Sequence, residues 1–238
     1  MRVSCRHICH KYPGAEAPVL DHLDWSLDGP GFFSFFGLSG AGKTTLARII
    51  SGEIIPDSGA VTSHNLRILY MHNSERLPGW CNVGRHLKSV TPLHRSELLA
   101  GLLQAYGIEP VMERRFSGLS MGQKNRINLV RYLVQDFDLI IADEALANVD
   151  EPTREHILGH IKSLFPHKTF LYISHNALEV ARFSQTVFIL PQVAQGGIRH
   201  ICRISGLNEQ KGKKIPEESI QKCVFNILKA AGSGEKVQ

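Results

Sequence analysis

Apolar residues in this chain follow two periods, and the switches between them outline its elements. Phe32-Phe-Ser-Phe-Phe36 is a short continuous apolar run, the pattern of a strand buried on both faces of a parallel sheet. Thr45 to Ile50 then reads as a helix. Ahead of the run, Arg2 to Cys9 and Val19 to Leu27 read as two strands. Val3, Cys5, His7 and Cys9 alternate on one face of the first, and Val19, Leu23, Trp25 and Leu27 point inward on the second. Tyr12-Pro-Gly14 is the turn signal after the first strand, and Pro56-Asp-Ser-Gly59 marks another turn, ahead of strand segments at Ala60 to Thr62 and Arg67 to Met71.

From Val83 to Phe116 the period becomes helical, with Leu98, Leu99, Leu102, Leu103 and Tyr106 at spacings of three and four. A helix from Met121 to Gln135, a strand at Leu139 to Ala142, a helix beginning near Pro152 and a strand at Thr169 to Ile173 follow. Strands alternating with helices predict a layered α/β core around a parallel sheet, with the Val83 to Phe116 region as an inserted helical subdomain. After Gln192 the pattern is less regular. Ile215 to Lys229 reads as a terminal amphipathic helix, and Gly232 to Gln238 as a frayed end. The chain holds no internal repeat and no low-complexity tract.

With 238 residues and 43% hydrophobic content, the chain buries a full core as one domain with an appended subdomain. A net charge of +5 and a pI near 9.0 are compatible with nucleic acid or with anionic lipid headgroups, and do not decide between them. The lysines of Lys211-Gly-Lys-Lys214 read as a solvated turn. No apolar run approaches the ~20 residues that cross a bilayer, and Met1-Arg-Val-Ser-Cys-Arg-His7 lacks the apolar core of a signal peptide, so a cytoplasmic location is expected.

Five scattered cysteines, Cys5, Cys9, Cys81, Cys202 and Cys223, fit reduced thiols. Cys5-Arg-His-Ile-Cys-His10 invites a metal reading. Residues two apart on one strand face are spaced by ~6.6 Å, too far for adjacent ligands of one tetrahedral ion without a turn between them. The segment therefore reads as plain strand.

The first chemistry lies directly after the apolar run. Gly37-Leu-Ser-Gly-Ala-Gly-Lys-Thr44 matches the phosphate-cradling pattern G-x-x-x-x-G-K-[ST] at every fixed position and implies binding of a nucleoside triphosphate. Gly37, Gly40 and Gly42 let the backbone wrap phosphate oxygens, with Ser39 and Ala41 between them. Lys43 reaches toward the β- and γ-phosphates, Thr44 offers a hydroxyl to Mg²⁺, and the helix that begins here, at Thr45, points its positive end at the anion. A second acid is needed for the metal. Asp138-Leu-Ile-Ile-Ala-Asp-Glu144 supplies Asp143 at the end of an apolar strand, and Glu144 next to it is placed to orient an attacking water.

Leu119-Ser-Met-Gly-Gln-Lys-Asn-Arg126 resembles the signature motif of ATP-binding-cassette (ABC) proteins and lies between the glycine loop and Asp143 as that family requires. Ala147-Asn-Val-Asp150 is similar to the family's loop ending in Asp, His175 follows its strand as the switch histidine does, and Tyr12 stands where an aromatic stacks on adenine. The resemblance covers roughly residues 1 to 190. It implies an α/β P-loop NTPase (RecA-like) core with an N-terminal antiparallel β-subdomain and a helical subdomain inserted at about 74–118, followed by a C-terminal extension over 191–238. It also implies ATP and Mg²⁺ as cofactors, with Glu144 and His175 as catalytic residues. Tyr12, Gly37, Ser39, Gly40, Ala41, Gly42, Lys43, Thr44, Thr45, Ser120, Gly122, Gln123 and Asp150 are expected to bind nucleotide, and Thr44, Asn73 and Asp143 the metal.

In this family two cassettes close head to tail, so Ser120 and Gly122 of one copy cap the γ-phosphate held by another. The second cassette is either a copy of this chain or a paralogous subunit. Asn73 stands where a Gln usually contacts Mg²⁺; one methylene shorter, it implies a weaker or water-mediated contact and slower turnover, so Asn73→Gln is expected to raise the ATPase rate. Met121 replaces a glycine of the signature, and Ala145 replaces a proline after Glu144.

One cassette without a membrane span implies separate permease subunits and a place on the cytoplasmic face of the membrane. Asn73-Ser-Glu-Arg-Leu-Pro-Gly-Trp80 resembles the Q-x-x-x-L-x-P-W segment of importer ATPases for nitrate, taurine, alkanesulfonates and thiamine-type pyrimidines, with Leu77 and Trp80 in register. Glu179 also fits importers. The expected function is therefore the ATPase of an importer of a small organic anion or vitamin precursor, served indirectly by a solute-binding protein and with no nucleic-acid partner. An exporter or lipid-transporter subunit, or a soluble non-transport ATPase, are the alternatives, and Trp80 also reads as an ordinary packed aromatic.

Overall fold

The computed structural model describes residues 2–72, 77–190, 201–210 and 215–233. The expectations for Asn73, for the Lys211 to Lys214 turn and for the chain after Ser233 lie outside these residues.

Two sheets form the frame. Strands β1 (Arg2–His10), β2 (Leu20–Asp28) and β4 (Ser58–Thr62) make an antiparallel sheet in the order β2-β1-β4. A six-stranded sheet runs β5-β6-β7-β3-β8-β9, built from β3 (Gly31–Phe36), β5 (Ile68–Met71), β6 (Leu139–Asp143), β7 (Thr169–Ile173), β8 (Thr186–Ile189) and β9 (Cys202–Ser205). Its first five members are parallel; β9 returns antiparallel along β8. Helices α1 (Lys43–Ile50), α2 (Val83–Val90), α3 (Ser96–Ala105), α4 (Met121–Leu133), α5 (Glu151–Leu164), α6 (Ala177–Phe183) and α7 (Glu217–Ser233) complete the set.

The six-stranded sheet separates two large cores, which is why β3 shows no alternation. Phe33 and Phe35 face the antiparallel sheet, packing with Ile8, Leu20, Leu23, Trp25 and the α1 residues Leu46 and Ile50. Phe32 faces the other way, joining Ile140, Phe170 and Tyr172 with Leu87, Leu102, Leu103 and Tyr106 of the helical insertion. Both faces of the strand lose water and favour apolar side chains, and its one polar side chain, Ser34, is buried with its hydroxyl oxygen 2.5 Å from that of Ser184. A third cluster buries Phe36, Val187 and Ile189 under α6 and α7.

Three local expectations are corrected. The inward face of β1 is not Val3, Cys5, His7, Cys9: the buried residues are Val3, Cys5, Ile8 and His10, because register shifts fall between Cys5 and Ile8 and between Ile8 and His10. On β2 the inward set begins at Leu20, with Val19 only partly buried. Such bulges insert a residue and change which side chains face the core; His7 and His22 adopt left-handed φ values of 49° and 43° there. Gly232, expected in a frayed end, lies within α7. The short strands β8 and β9 have too few residues to announce a period, and they form because β3 and β8 supply the template for pairing; α6 is set by its Asn176 cap and by burial of Val180 and Ala181 in the third cluster.

Candidate functional site

The loop 37–42 leaves the carboxyl end of β3, a central strand flanked by β7 and β8. Ligands of open α/β sheets bind outside the carboxyl ends of such strands. Helix α1 starts on Gly42, whose φ of 92° suits glycine, and it has no side-chain cap. By contrast α2, α4, α5 and α6 are each capped by a side chain, from Asn82, Ser120, Asp150 and Asn176. The α1 terminus thus presents amide donors and the positive end of its dipole to an anion. Leu20 of β2 lies against the loop: a Cβ on Gly42 would sit 2.9 Å from Leu20 Cδ2.

Lys43 is buried, and its Nζ donates to the carbonyls of Gly37 at 2.7 Å and Leu38 at 3.0 Å. Burial lowers its pKa, opposed by the charges of Glu144 and Asp143. The ammonium is held over the loop by neutral acceptors and is available to a phosphate. Within the loop Ala41 is buried, its N–H donating to the Leu38 carbonyl at 3.2 Å, while Ser39 and Gly40 are exposed.

Beside Lys43, Thr44 Oγ1 donates to Asp143 Oδ2 at 2.7 Å, and the Tyr70 hydroxyl donates to the same oxygen at 2.7 Å. Asp143 is buried. Burial first, then the hydrogen bond to Asp143 and its charge, push the Tyr70 phenol above its ordinary pKa, so it stays a donor. Thr44 and Asp143 provide a hydroxyl and a carboxylate at one point, an all-oxygen set that suits Mg²⁺ with phosphate oxygens and water as its remaining ligands. Tyr70 escaped the sequence reading. It pairs with Ile141 on the neighbouring parallel strand and so shares a face with Asp143, a relation visible only once β5 and β6 are known to be adjacent.

Glu144 and His175 lie at the ends of neighbouring strands. The Asp143–Ile173 pairing of β6 and β7 continues one step through the Glu144 N–H, which donates to the Ile173 carbonyl at 3.0 Å. Glu144 has a left-handed φ of 49°, a conformation a non-glycine residue adopts at a cost. His175 Nε2 stands 2.5 Å from Glu144 Oε1, with both side chains partly open to solvent.

The loop that carries His175 is held by the buried side chain of Glu179, whose structural part the sequence does not disclose. Its buried carboxylate accepts from Tyr172 OH at 3.1 Å, Ser174 Oγ at 2.9 Å and Asn176 Nδ2 at 3.4 Å, and it is ion-paired with Arg154 of α5. Burial, reinforced by the Glu179 charge, raises the Tyr172 pKa.

Tyr12 is partly exposed at the edge of the loop. Its hydroxyl is 3.1 Å from Thr45 Oγ1, and its ring meets His10 edge-on at 4.9 Å between centroids.

A second group of expected residues assembles elsewhere. Ser120 and Gln123 form a reciprocal cap on α4: Gln123 N–H donates to Ser120 Oγ at 3.2 Å, and Ser120 N–H donates to Gln123 Oε1 at 3.0 Å. Gly122 is pressed to the turn before α5, where a Cβ would lie 2.6 Å from the Asn148 carbonyl oxygen. Asp150 caps α5 by accepting from Thr153 N–H at 3.0 Å, a bond that holds its carboxyl below the usual range. The structure thus brings Gly37 to Thr45, Asp143, Glu144 and His175 to one end of the sheet, and sets Gly122, within the α4 cap formed by Ser120 and Gln123, against Asn148 and Val149 ahead of α5. Trp80 is 85% exposed, so it is not a packed aromatic, while Leu77 packs partly buried against the helical core.

The family described as ABC transporter matches residues 20–147. The molybdenum import ATP-binding protein ModC of Rhizobium etli is 32% identical over 182 residues, covering 67% of this chain and 51% of the relative. An uncharacterised ABC transporter ATP-binding protein of Haemophilus influenzae is 30% identical over 186 residues, covering 72% of this chain and 75% of the relative. The chain spans about half the length of the molybdenum-import relatives it matches. Solved structures share the fold, among them two dimeric cassettes. A dimeric ATP-binding cassette in a post-hydrolysis state with ADP and phosphate has a TM-score of 0.69 at 22% identity, covering 79% of this chain and 94% of that one. A dimeric bacterial ABC transporter cassette has a TM-score of 0.71 at 21% identity, with the same coverage.

Proposed function

The chain belongs to the ABC transporter family, and on that premise we propose that it is the ATP-binding and ATP-hydrolysing subunit of an importer, acting through ATP-dependent closure of a dimer. The observation that carries this reading is the convergence of Lys43, Thr44, Asp143, Glu144 and His175 at the carboxyl ends of β3, β6 and β7.

Each residue has a distinct part. Lys43 exchanges the Gly37 and Leu38 carbonyls for the β- and γ-phosphates, while the uncapped α1 amides hold the remaining oxygens. Thr44 and Asp143 hold the metal, and Tyr70 fixes the Asp143 carboxylate through Oδ2. When bound, Mg²⁺ neutralises charge on the β- and γ-oxygens. Glu144 orients the attacking water and accepts its proton; His175, within hydrogen-bond reach of that carboxylate, positions it and senses the γ-phosphate. Tyr12, anchored through its hydroxyl to Thr45, offers its ring to the base.

Ser120 supports a composite site with a second cassette. Its oxygen accepts from Gln123 N–H, and a hydroxyl carries one donor proton besides its acceptor lone pairs. That proton is left for a γ-phosphate held by the other copy, with Gly122 adding an amide and Asp150 anchoring the adjoining turn. Closure is then favoured while the γ-phosphate is present and relaxes when it leaves.

The importer reading is supported by relatives named for molybdenum import and by the exposed Trp80 beside Leu77. The importer reading places the chain on the cytoplasmic face against separate permease subunits, with a solute-binding protein as an indirect partner; no helix of the described residues is long and apolar enough to cross a membrane. Its cargo would be a small solute, an organic anion or vitamin precursor, a range that the relatives' names extend to molybdenum.

Two variants test the proposal by steady-state phosphate release and light scattering. Glu144→Gln is expected to abolish most hydrolysis and accumulate an ATP-bound dimer; Lys43→Ala is expected to lose nucleotide binding. Normal hydrolysis by either variant overturns the assignment.

A further inference from the structure

Away from the nucleotide loop, the β1–β2 pair gathers a thiol, a carboxylate and an imidazole at one point. Cys9 Sγ lies 3.6 Å from His22 Nδ1 and 3.9 Å from Asp21 Oδ1, and the latter two atoms are 2.8 Å apart. Among the described residues no other group of three such side chains converges in this way. We propose that Cys9, Asp21 and His22 form a binding site for a borderline-soft divalent cation of the zinc type.

The sequence segment Cys5 to His10 holds no such site by itself, since its side chains are spread along one strand. The partner strand supplies the missing ligands through a bulge. Ile8 pairs with Leu23 and His10 with Leu20, so the single residue Cys9 is opposed by two, Asp21 and His22. On a regular strand those two would point to opposite faces. The extra residue, with His22 at a φ of 43°, instead brings both side chains to the outward face that Cys9 occupies.

The spacing agrees with tetrahedral coordination. Metal–sulfur and metal–nitrogen bonds of about 2.3 and 2.05 Å at a tetrahedral angle place S and N roughly 3.6 Å apart, and S and O come out at about 3.6 Å as well. Cys9 and His22 already match the first separation, and Cys9 and Asp21 are within a few tenths of an ångström of the second. The Asp21–His22 hydrogen bond must open from 2.8 Å to about 3.4 Å as an ion takes the place of the shared proton. That movement falls on two side chains partly open to solvent, which also leave an entry path and room for water as fourth ligand.

The donor set selects the ion. One thiolate, one imidazole and one carboxylate favour Zn²⁺ or Co²⁺ over the hard Mg²⁺ that suits Thr44 and Asp143. The His22 N–H donates to Cys9 Sγ at 3.2 Å and holds the sulfur on the face that the Asp21 and His22 side chains share. The site also joins the segments on either side of the nucleotide loop's edge: Tyr12 follows Cys9 by three residues, and Leu20, which packs on Gly42, precedes Asp21.

The test uses the purified full chain, freed of metal, titrated with Co²⁺ and back-titrated with Zn²⁺. Expected are one Co²⁺ per chain, a near-ultraviolet sulfur-to-metal charge-transfer band with visible tetrahedral bands, and their loss on Zn²⁺ addition but not on Mg²⁺ addition. Cys9→Ser should abolish the charge-transfer band. His22→Asn, which tolerates the left-handed backbone, and Asp21→Asn should each weaken binding by about tenfold or more. Retained ATP binding by all three variants serves as the folding control. No charge-transfer band at millimolar Co²⁺, persistence of the band in Cys9→Ser, or unchanged affinity in His22→Asn would each overturn the proposal.

Discussion

Glu179→Gln isolates the contribution of one buried charge to the scaffold under His175. The amide has the carboxylate's shape but leaves the Arg154 guanidinium without its counter-charge, at a position where the two side chains are 15% and 7% exposed. Breaking a buried ion pair by removing one partner costs about 3–5 kcal/mol, most of it the penalty of the charge left behind. Arg154 keeps a hydrogen bond to the Val149 carbonyl at 3.2 Å, and Gln retains an acceptor oxygen for Tyr172 or Ser174, so the lower end applies, about 3 kcal/mol. For a domain of this size, each kcal/mol lowers Tm by about 2–4 °C, giving a fall of roughly 6–12 °C. Thermal unfolding followed by circular dichroism measures it. Adding Arg154→Met in the same chain removes the orphaned cation and should recover at least half of the loss. A fall of less than about 2 °C, or a double variant as unstable as the sum of the single ones, refutes the argument, because either shows that the pair is not coupled.

Tyr70→Phe removes one of the two donors to Asp143 Oδ2; with a hydrogen bond to a charged group contributing about 1.5–3 kcal/mol, urea unfolding should show a loss of about 2 kcal/mol, accompanied by a changed Mg²⁺ dependence of ATPase activity. Lys162 gives a pH signature: burial lowers its pKa to about 8 from 10.5, although Nζ donates to the carbonyls of Phe183 and Glu209. Between those values the unfolded chain holds a proton that the folded chain has released, so its contribution to stability rises with pH from about 8 to 10.5, by at most about 1.4 kcal/mol per unit. Lys162→Met should flatten that part of the stability–pH curve; an unchanged slope shows that Lys162 is not responsible.

Much of the candidate nucleotide site can be picked out in the sequence because its chemistry is local. The glycine loop, Lys43 and Thr44 are consecutive, and a backbone that wraps an anion needs those residue types in that order. Asp143 and Glu144 follow an apolar strand, and His175 follows the next, so end-of-strand placement carried them to the same edge of the sheet. Less legible were residues whose partners are remote in sequence. Tyr70 reaches Asp143 across 73 positions and Arg203 meets Ser26 across 177, contacts fixed by strand order and not by any local pattern. The β1 face was misread for a related reason: alternation holds only until a bulge, and the bulge depends on how β2 and β4 pair with β1.

By itself the sequence determined the α/β class, the phosphate loop and its acids, and the resemblance that assigned parts to Ser120, Gly122 and Asp150, since each rests on residue type at short spacing. Only the tertiary structure decided that Tyr70 and Thr44 share one oxygen of Asp143, that Glu179 holds the loop of His175 from beneath, and that Cys9 meets Asp21 and His22. Hydrogen bonds and coordination act over about 3 Å, and the folded sheet alone brings distant positions within that range.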